Sequence, residues 1–186
     1  MKRPMKLSLR ATLSLAIVAL IAISAVIGAI GIFGMSQISS ADRKLYANYT
    51  VPLMYLQRMT DGFHRIRVNL YRIGTIDKPD ERAADVKGIA DFFVLVDKNG
   101  KLYEDTMLTE TGRKLFAEYK APYDEFKVMV ASMLGLAAKG DLGSNYLAGL
   151  VSTRRVSEGV QTGLEGLVQR KISQAESIAV SNEAVA

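Results

Sequence analysis

The feature that most constrains this chain is an uninterrupted apolar segment at residues 13–35, preceded only by positive charges. The segment holds 23 residues, and Ser14 and Ser24 carry its only polar side chains. At about 1.5 Å per residue, a helix of this length spans roughly 35 Å, which is enough to cross a hydrocarbon core of about 30 Å. The charges that precede it are Lys2, Arg3, Lys6 and Arg10. By the positive-inside rule we expect a transmembrane helix with residues 1–12 in the cytoplasm and residues 36–186 on the other side.

A cleaved secretory signal peptide is the alternative for the same segment. Such a peptide also begins with basic residues, but its apolar region usually has about 7–15 residues and a polar exit of small residues. The segment here is longer and lacks that exit, although cleavage near residues 24–25 stays open. The length favours an uncleaved anchor.

Composition excludes several functional classes. The chain has no cysteine, so disulfides, thiolate catalysis and cysteine-ligated zinc are excluded. Its only histidine, His64, offers no second metal ligand of its kind. Most of the net charge of +5 comes from the four N-terminal basic residues, so it gives no support to nucleic-acid binding. No P-loop, GxSxG or HExxH motif occurs. We therefore expect no enzyme activity, no cofactor and no metal.

Beyond the anchor, apolar residues recur at alternating spacings of four and three. Such alternation places a narrow apolar stripe on one face of a long helix that packs against neighbours. We expect the first helix to be continuous with the membrane helix and to bend at Pro52, which lacks a backbone donor. The first stripe consists of Leu45, Tyr49, Pro52, Leu56, Met59, Phe63, Ile66, Leu70 and Ile73. The second consists of Val86, Ile89, Phe93, Val96, Gly100, Tyr103 and Met107.

Residues 92–103 have a second possible structure. Apolar runs on either side of Asn99 and Gly100 also fit two strands joined by a tight turn, as in PAS-like and Cache-like sensor domains. The spacing of the stripe continues through the turn without a phase shift, and the chain lacks the other strands that a sheet requires. The pattern therefore favours a helix in which Gly100 is a weak position.

Two further helices are predicted in the second half of the chain. Thr109 is placed to cap the third helix, Pro122 to kink it and Gly140 to end it. The stripe of the fourth helix consists of Val160, Leu164, Val168, Ile172, Ala175 and Ala179. A glycine series in that helix indicates either close approach of backbones or simply a weaker helix: Gly149, Gly159, Gly163 and Gly166.

Together these elements predict an all-α fold, an antiparallel up-down-up-down four-helix bundle continuous with the N-terminal transmembrane helix. The expected helices cover residues 36–74, 79–107, 109–139 and 142–186. Because the first and fourth helices then both end beside the membrane, we expect a second membrane span and a cytoplasmic output module to follow residue 186.

The residues after the membrane segment resemble a known family. Residues 51–56 (VPLMYL) and 65–72 (RIRVNLYR), followed by similar residues in 114–123 and 136–142, resemble the four-helix-bundle ligand-binding domain of bacterial methyl-accepting chemotaxis proteins. The resemblance covers essentially the whole chain. It implies a chemoreceptor sensor domain that is periplasmic, anchored in the bacterial inner membrane and homodimeric. Such a domain binds a small anion at the dimer interface and signals across the membrane.

Two other functions stay open at this point. Histidine kinases and diguanylate cyclases use the same sensor domain, so the resemblance does not determine the output. A purely structural anchored bundle that docks a partner protein is the remaining alternative.

Arginines on the first bundle helix are the candidate ligand-binding residues. A guanidinium group offers carboxylates a fixed bidentate fork and keeps its charge at any relevant pH. Arg65 and Arg72 are seven residues apart and share a stripe with Arg58, whereas Arg67 lies on another face. One helix can therefore present guanidinium groups to two neighbours, which suits a dimer site. The alternative is a solvated helix face, with Asp61 pairing with Arg65 four residues later.

The resemblance narrows these candidates. Similar family members bind amino acids or organic acids with arginines from the first helix of both subunits, and Arg67 and Arg72 match two of those arginines. A third would fall at Ile76, where it is missing. Dicarboxylates, tricarboxylates and aromatic carboxylates are therefore as well supported as amino acids. Tyr71, four residues after Arg67, is placed either to stack on a ligand ring or to pack in an interface.

A segment of the fourth helix is expected to complete the pocket. Measured from the membrane at about 1.5 Å per residue, residues 152–155 lie at the same height as Arg67. Thr153 and Arg154 would then add a hydroxyl and a further positive charge opposite Arg67. The alternative is a solvated polar stretch of helix.

Overall fold

The structure is a computed structural model that describes residues 9–107 and 109–183. Most of the predicted cytoplasmic flank, and residues 184–186 of the fourth helix, lie outside the described residues. The chain divides into two compact units, residues 1–44 and residues 45–186. Every element among the described residues is helical, so the all-α prediction is confirmed.

The first unit is formed by helix α1, Leu9–Leu45, which extends one residue into the second unit. Its apolar side chains are exposed from Leu13 to Met35. The helical segment Thr12–Thr75 includes an 18-residue stretch with a mean hydropathy of 2.8, none of which is buried. By length and composition this helix is able to cross a membrane.

The second unit contains four long helices. Helical residues continue without interruption from α1 through a π-helical turn, Tyr46–Thr50, into α2, Val51–Thr75. The remaining helices are α3 (Pro79–Glu104), α4 (Glu110–Ala138) and α5 (Ser144–Glu183). Helix α2 packs mainly against α3 and α5, and α4 packs mainly against α5, as expected for antiparallel helices joined by short turns. Residues 92–103 lie inside α3, so the hairpin alternative is wrong.

The predicted stripes of the first two helices contribute to the core. In α2 every stripe position from Pro52 to Ile73 is buried. Aromatic rings then join α2 to α4 through the centre of the bundle, where the centroids of Phe63 and Phe126 lie 5.0 Å apart in an edge-on contact. Such pairs contribute about 0.5–1.5 kcal/mol beyond the area that they bury.

The stripe predicted for the fourth helix is partly wrong. Val160 and Leu164 are buried, but Ile172 and Ala179 are exposed. The stripe fails here because Lys171 already lies beside Tyr103, near the end of α3, so later residues of α5 pass beyond the α3–α4 turn. The buried apolar residues of α5 that the prediction missed are Tyr146, Leu150, Val156 and Leu167.

The helix ends follow the predicted signals. Thr109 Oγ1 accepts a hydrogen bond from the Gly112 N–H at 3.1 Å, which caps the start of α4. Gly140 has φ of 74° and its N–H donates to Ala137 O, while the Asp141 N–H donates to Leu136 O. This pair of hydrogen bonds is the Schellman arrangement, in which a left-handed glycine ends a helix without steric cost.

The π-helical turn directly precedes Pro52. The Val51 N–H donates to Tyr46 O, five residues back. Because Pro52 has no N–H, it cannot donate to the carbonyl of Asn48, four residues before it. Lys171 of α5 donates to that carbonyl instead, with its Nζ 3.1 Å from Asn48 O. The proline that we expected to bend the helix is therefore accompanied by a π-helical turn and a cross-helix hydrogen bond.

Candidate functional site

Arg67 is half-buried between α2 and α5. Its guanidinium carbon lies 5.7 Å from the ring centroid of Phe63, one turn earlier on α2. Its Nη1 donates to Gln161 Oε1 of α5 across 3.5 Å. The Gln161 amide in turn donates to Glu165 Oε1 at 2.9 Å. Arg67 therefore joins the two helices through a neutral amide, and no carboxylate of a described residue forms an ion pair with it.

A groove lies beside Arg67, along the junction of α2 and α5. We call it the α2–α5 groove; its volume is about 720 Å³, and it is lined by Phe63, His64, Gln161 and Leu164, among others. Phe63 and Leu164 belong to the buried core, whereas His64 is exposed. An apolar floor with a few polar groups at the edge is typical of sites that bind small molecules or apolar surfaces. Among the described residues, no group of acids and histidines could hold a metal ion.

Arg72 contacts a different helix. Its Nη1 lies 3.4 Å from Asp85 Oδ1 on α3. The side chain of Arg72 is 53 % exposed, whereas that of Asp85 is only 7 % exposed. The second carboxylate oxygen of Asp85 is buried and has no hydrogen-bond partner among the described residues. Asp85 thus forms an ion pair with a guanidinium whose side chain is about half exposed.

Arg65 and Tyr71 lie on the surface of α2. Arg65 Nε is 2.9 Å from Asp61 Oδ2 in an ion pair in which both side chains are more than half exposed. Its guanidinium also lies 5.5 Å from the ring centroid of Phe92 on α3. Exposed pairs of this kind contribute little to stability. Tyr71 is 52 % exposed. Both residues face outwards, and their role in ligand binding stays a prediction.

The predicted half of the pocket on the fourth helix does not meet Arg67. Thr153 is buried, and its hydroxyl donates to Leu150 O of its own helix at 2.8 Å. Arg154 is exposed and forms an ion pair with Glu158 one turn later, at 3.0 Å. Within one chain the Arg67 side chain reaches Gln161 instead, and the role of Thr153 and Arg154 in ligand binding stays a prediction. A contact of Arg154 with a second copy stays a prediction.

Sequence reasoning missed Gln161 and Asp85. A signal for Asp85 was available, since it stands next to Val86 of the second stripe, where a buried carboxylate requires a partner. For Gln161 no comparable signal exists, because an amide beside a stripe is usually solvated.

A family model described as a four helix bundle sensory module for signal transduction matches residues 6–186. The chain belongs to this family. No curated protein and no solved structure gives a significant match to it. The resemblance to the sensor domain of chemotaxis receptors is thereby confirmed, and so is the four-helix-bundle fold.

Arg67 and Arg72 lie on different faces of the bundle. In this sensory module the faces of α2 and α5 carry Arg67 and the α2–α5 groove. The face between α2 and α3 carries Arg72 and Asp85. One helix therefore presents cationic groups in two directions, as the sequence predicted.

Proposed function

We propose that this sensory module is the extracytoplasmic sensor of a bacterial chemoreceptor. Its support is the family match over residues 6–186, together with an apolar helix long enough to cross a membrane. The positive charges before that helix favour a cytoplasmic N-terminus, with residues 36–186 in the periplasm and the anchor in the inner membrane. The module acts by binding, without enzymatic turnover, and without metal, cofactor or nucleic acid.

The proposed ligand is a small carboxylate bound between two copies of the chain. The observation that carries this proposal is the environment of Arg67. Arg67 is half-buried, yet its one hydrogen-bond partner among the described residues is the neutral amide of Gln161, 3.5 Å away. Withdrawing a charge from water without an opposite charge is costly, and a carboxylate provides a charge-assisted, bidentate partner. Arg67 therefore has unused capacity to bind an anion.

Arg72 is proposed to contribute the second cationic group. The buried carboxylate of Asp85 forms an ion pair with one of its nitrogens and so restrains the side chain. The Arg72 side chain is 53 % exposed, and its guanidinium has further N–H donors for a ligand at the surface of the bundle. A guanidinium held by a buried carboxylate loses less rotational freedom on binding, and such preorganisation favours affinity.

Signalling then requires that the ligand bind two conformations unequally. We propose that the conformations differ by a small displacement of α5 along its axis. The support for this step is the family alone.

Isothermal titration of the full chain in detergent micelles tests the proposed site. The titrants are dicarboxylates, tricarboxylates, aromatic carboxylates and amino acids. We expect one class to bind, and expect Arg67→Ala and Arg72→Ala each to weaken binding about tenfold or more, since a hydrogen bond to a charged group contributes about 1.5–3 kcal/mol. Arg58→Ala is the matched control, because Arg58 is exposed on the same helix. Absence of binding for every acid, or binding that survives both substitutions, would refute the arginine site.

A further inference from the structure

A second cavity lies at the end of the bundle that carries the π-helical turn. It has a volume of about 80 Å³ and is bounded by that turn, the end of α3, the first turn of α4, and α5. This space exceeds the roughly 10–15 Å³ that one water molecule needs, but admits only a few heavy atoms. At about 1.5 Å per residue, Asn48 in its wall lies roughly 28 Å along the helix from Arg67. We call it the basal cavity; it is separate from the arginine site.

The basal cavity carries unbalanced positive charge. Arg170 and Lys171 both line it, and no carboxylate of a described residue does. Among the described residues neither side chain forms an ion pair. Burial lowers the pKa of Lys171, and the neighbouring charge of Arg170 lowers it further. Two adjacent cations that share a partly desolvated site repel each other, and an anion between them would remove that cost.

Hydrogen-bond donors converge on the same space. Lys171 gives one N–H to Asn48 O, which leaves two others. Tyr103 lines the cavity and is only 2 % exposed, yet its hydroxyl has no hydrogen-bond partner among the described residues. Burial raises the pKa of Tyr103 to about 12, opposed by the charge of Arg170, so the hydroxyl keeps its proton and lies within the field of that guanidinium. The hydroxyl oxygen is accessible from the cavity, and its O–H is available to donate to an acceptor there.

The first turn of α4 also favours an anion in the basal cavity. Thr109 and Gly112 lie in the cavity wall. The N-terminal end of a helix carries partial positive charge, which favours an anion nearby. The two cations, the tyrosine hydroxyl group and the end of the helix therefore all favour a negatively charged ligand.

We propose that the basal cavity binds one small monovalent oxyanion, no larger than acetate or nitrate, between Arg170, Lys171 and Tyr103. The volume favours such an anion over the larger carboxylates that the arginine site is proposed to bind. Two or three anion oxygens match the guanidinium, ammonium and hydroxyl donors. A bound anion connects α3 and α5 directly, and connects α5 to the π-helical turn through the contact of Lys171 with Asn48.

Thermal unfolding of the full chain in detergent micelles tests this site. Sodium acetate or sodium nitrate replaces sodium chloride at constant ionic strength. We expect a saturable rise of Tm, because a ligand that binds only the folded state stabilises it. Tyr103→Phe should raise the apparent Kd about tenfold, as expected for one hydrogen bond to a charged group. Arg170→Gln and Lys171→Met should abolish the saturable rise. Lys98→Met removes an exposed lysine elsewhere on α3 and should leave it unchanged.

Several different results would overturn the proposed anion site. A rise that does not saturate, or that is equal in every variant, is a general salt effect and overturns the proposal, as does the absence of any rise. A rise abolished by Arg67→Ala instead of Tyr103→Phe assigns the anion to the arginine site and also overturns it. If Lys171→Met unfolds because Asn48 O loses its donor, Tyr103→Phe decides, since its hydroxyl has no protein partner to lose.

Discussion

Replacing Gly163 by alanine tests how closely α4 and α5 approach each other. A Cβ atom at this position would lie 2.8 Å from the Cα of Tyr119 and 3.0 Å from its Cβ. Backbone atoms cannot rotate away as a flexible side chain does, so the two helices would have to separate. Overpacking of this kind costs about 1–3 kcal/mol, and the higher helix propensity of alanine offsets about 1 kcal/mol of it. We expect a net loss of up to about 2 kcal/mol in the free energy of unfolding.

Gly166 provides the matched control on the same helix. A Cβ there meets no atom within 4 Å, so Gly166→Ala should gain up to about 1 kcal/mol from propensity alone. Thermal unfolding of the full chain in detergent, followed by far-ultraviolet circular dichroism, measures both. A change of 1 kcal/mol shifts Tm by roughly 2–4 °C in a chain of this size, so the two variants should move in opposite directions. If Gly163→Ala melts at or above the temperature of Gly166→Ala, the close approach of α4 and α5 is wrong.

Two further predictions concern buried tyrosines. Tyr146→Phe removes the buried hydrogen bond from the hydroxyl to Leu70 O, 2.8 Å long, and should cost about 1 kcal/mol in the same unfolding assay, whereas Tyr71→Phe, at an exposed side chain, should cost almost nothing. Stability should also fall as the pH rises from about 10 towards 12, because burial raises the pKa of Tyr103 and Tyr146 to about 12 and the unfolded chain releases those protons first. The stability that these raised pKa values contribute is complete below pH 10 and is lost above it. A denaturant midpoint that stays constant across that pH range would contradict the attribution of the decline to these tyrosines. An equal decline in Tyr146→Phe would also contradict it.

Periodicity predicted the helices well where the stripe was long and uninterrupted. In α2 the alternation from Pro52 to Ile73 has a single solution, since no other structure buries residues at that spacing. In α3 the same alternation outweighed the turn signal of Asn99 and Gly100. At the start of α5 the apolar residues lie on two faces, so the sequence did not distinguish the buried Tyr146 and Leu150 from the exposed Leu147 and Val151. Exposure of Ile172 depends on where α3 ends, which the local sequence of α5 does not contain.

The candidate site was less predictable than the fold. Arginine has a long side chain, and the partner it reaches depends on the register between helices. Arg67 extends back one turn over Phe63 to Gln161, and a count of residues from the membrane cannot show this. The glycines of α5 show the same limit, because Gly163 meets a backbone and Gly166 meets nothing, although both looked alike in the sequence.

The carbonyl that Pro52 leaves without a donor has a mechanical consequence. A regular helix satisfies its own backbone and is indifferent to sliding of its neighbour. At Asn48 the missing backbone hydrogen bond is replaced by one from the Lys171 side chain of α5, whose Nζ lies 3.1 Å from the carbonyl oxygen. A displacement of α5 along its axis by one residue, about 1.5 Å, therefore stretches or compresses the hydrogen bond from Lys171 to the main chain of another helix. Pro52 thus gives α5 a preferred axial position relative to the neighbouring helix, which a contact between two regular helices would not provide.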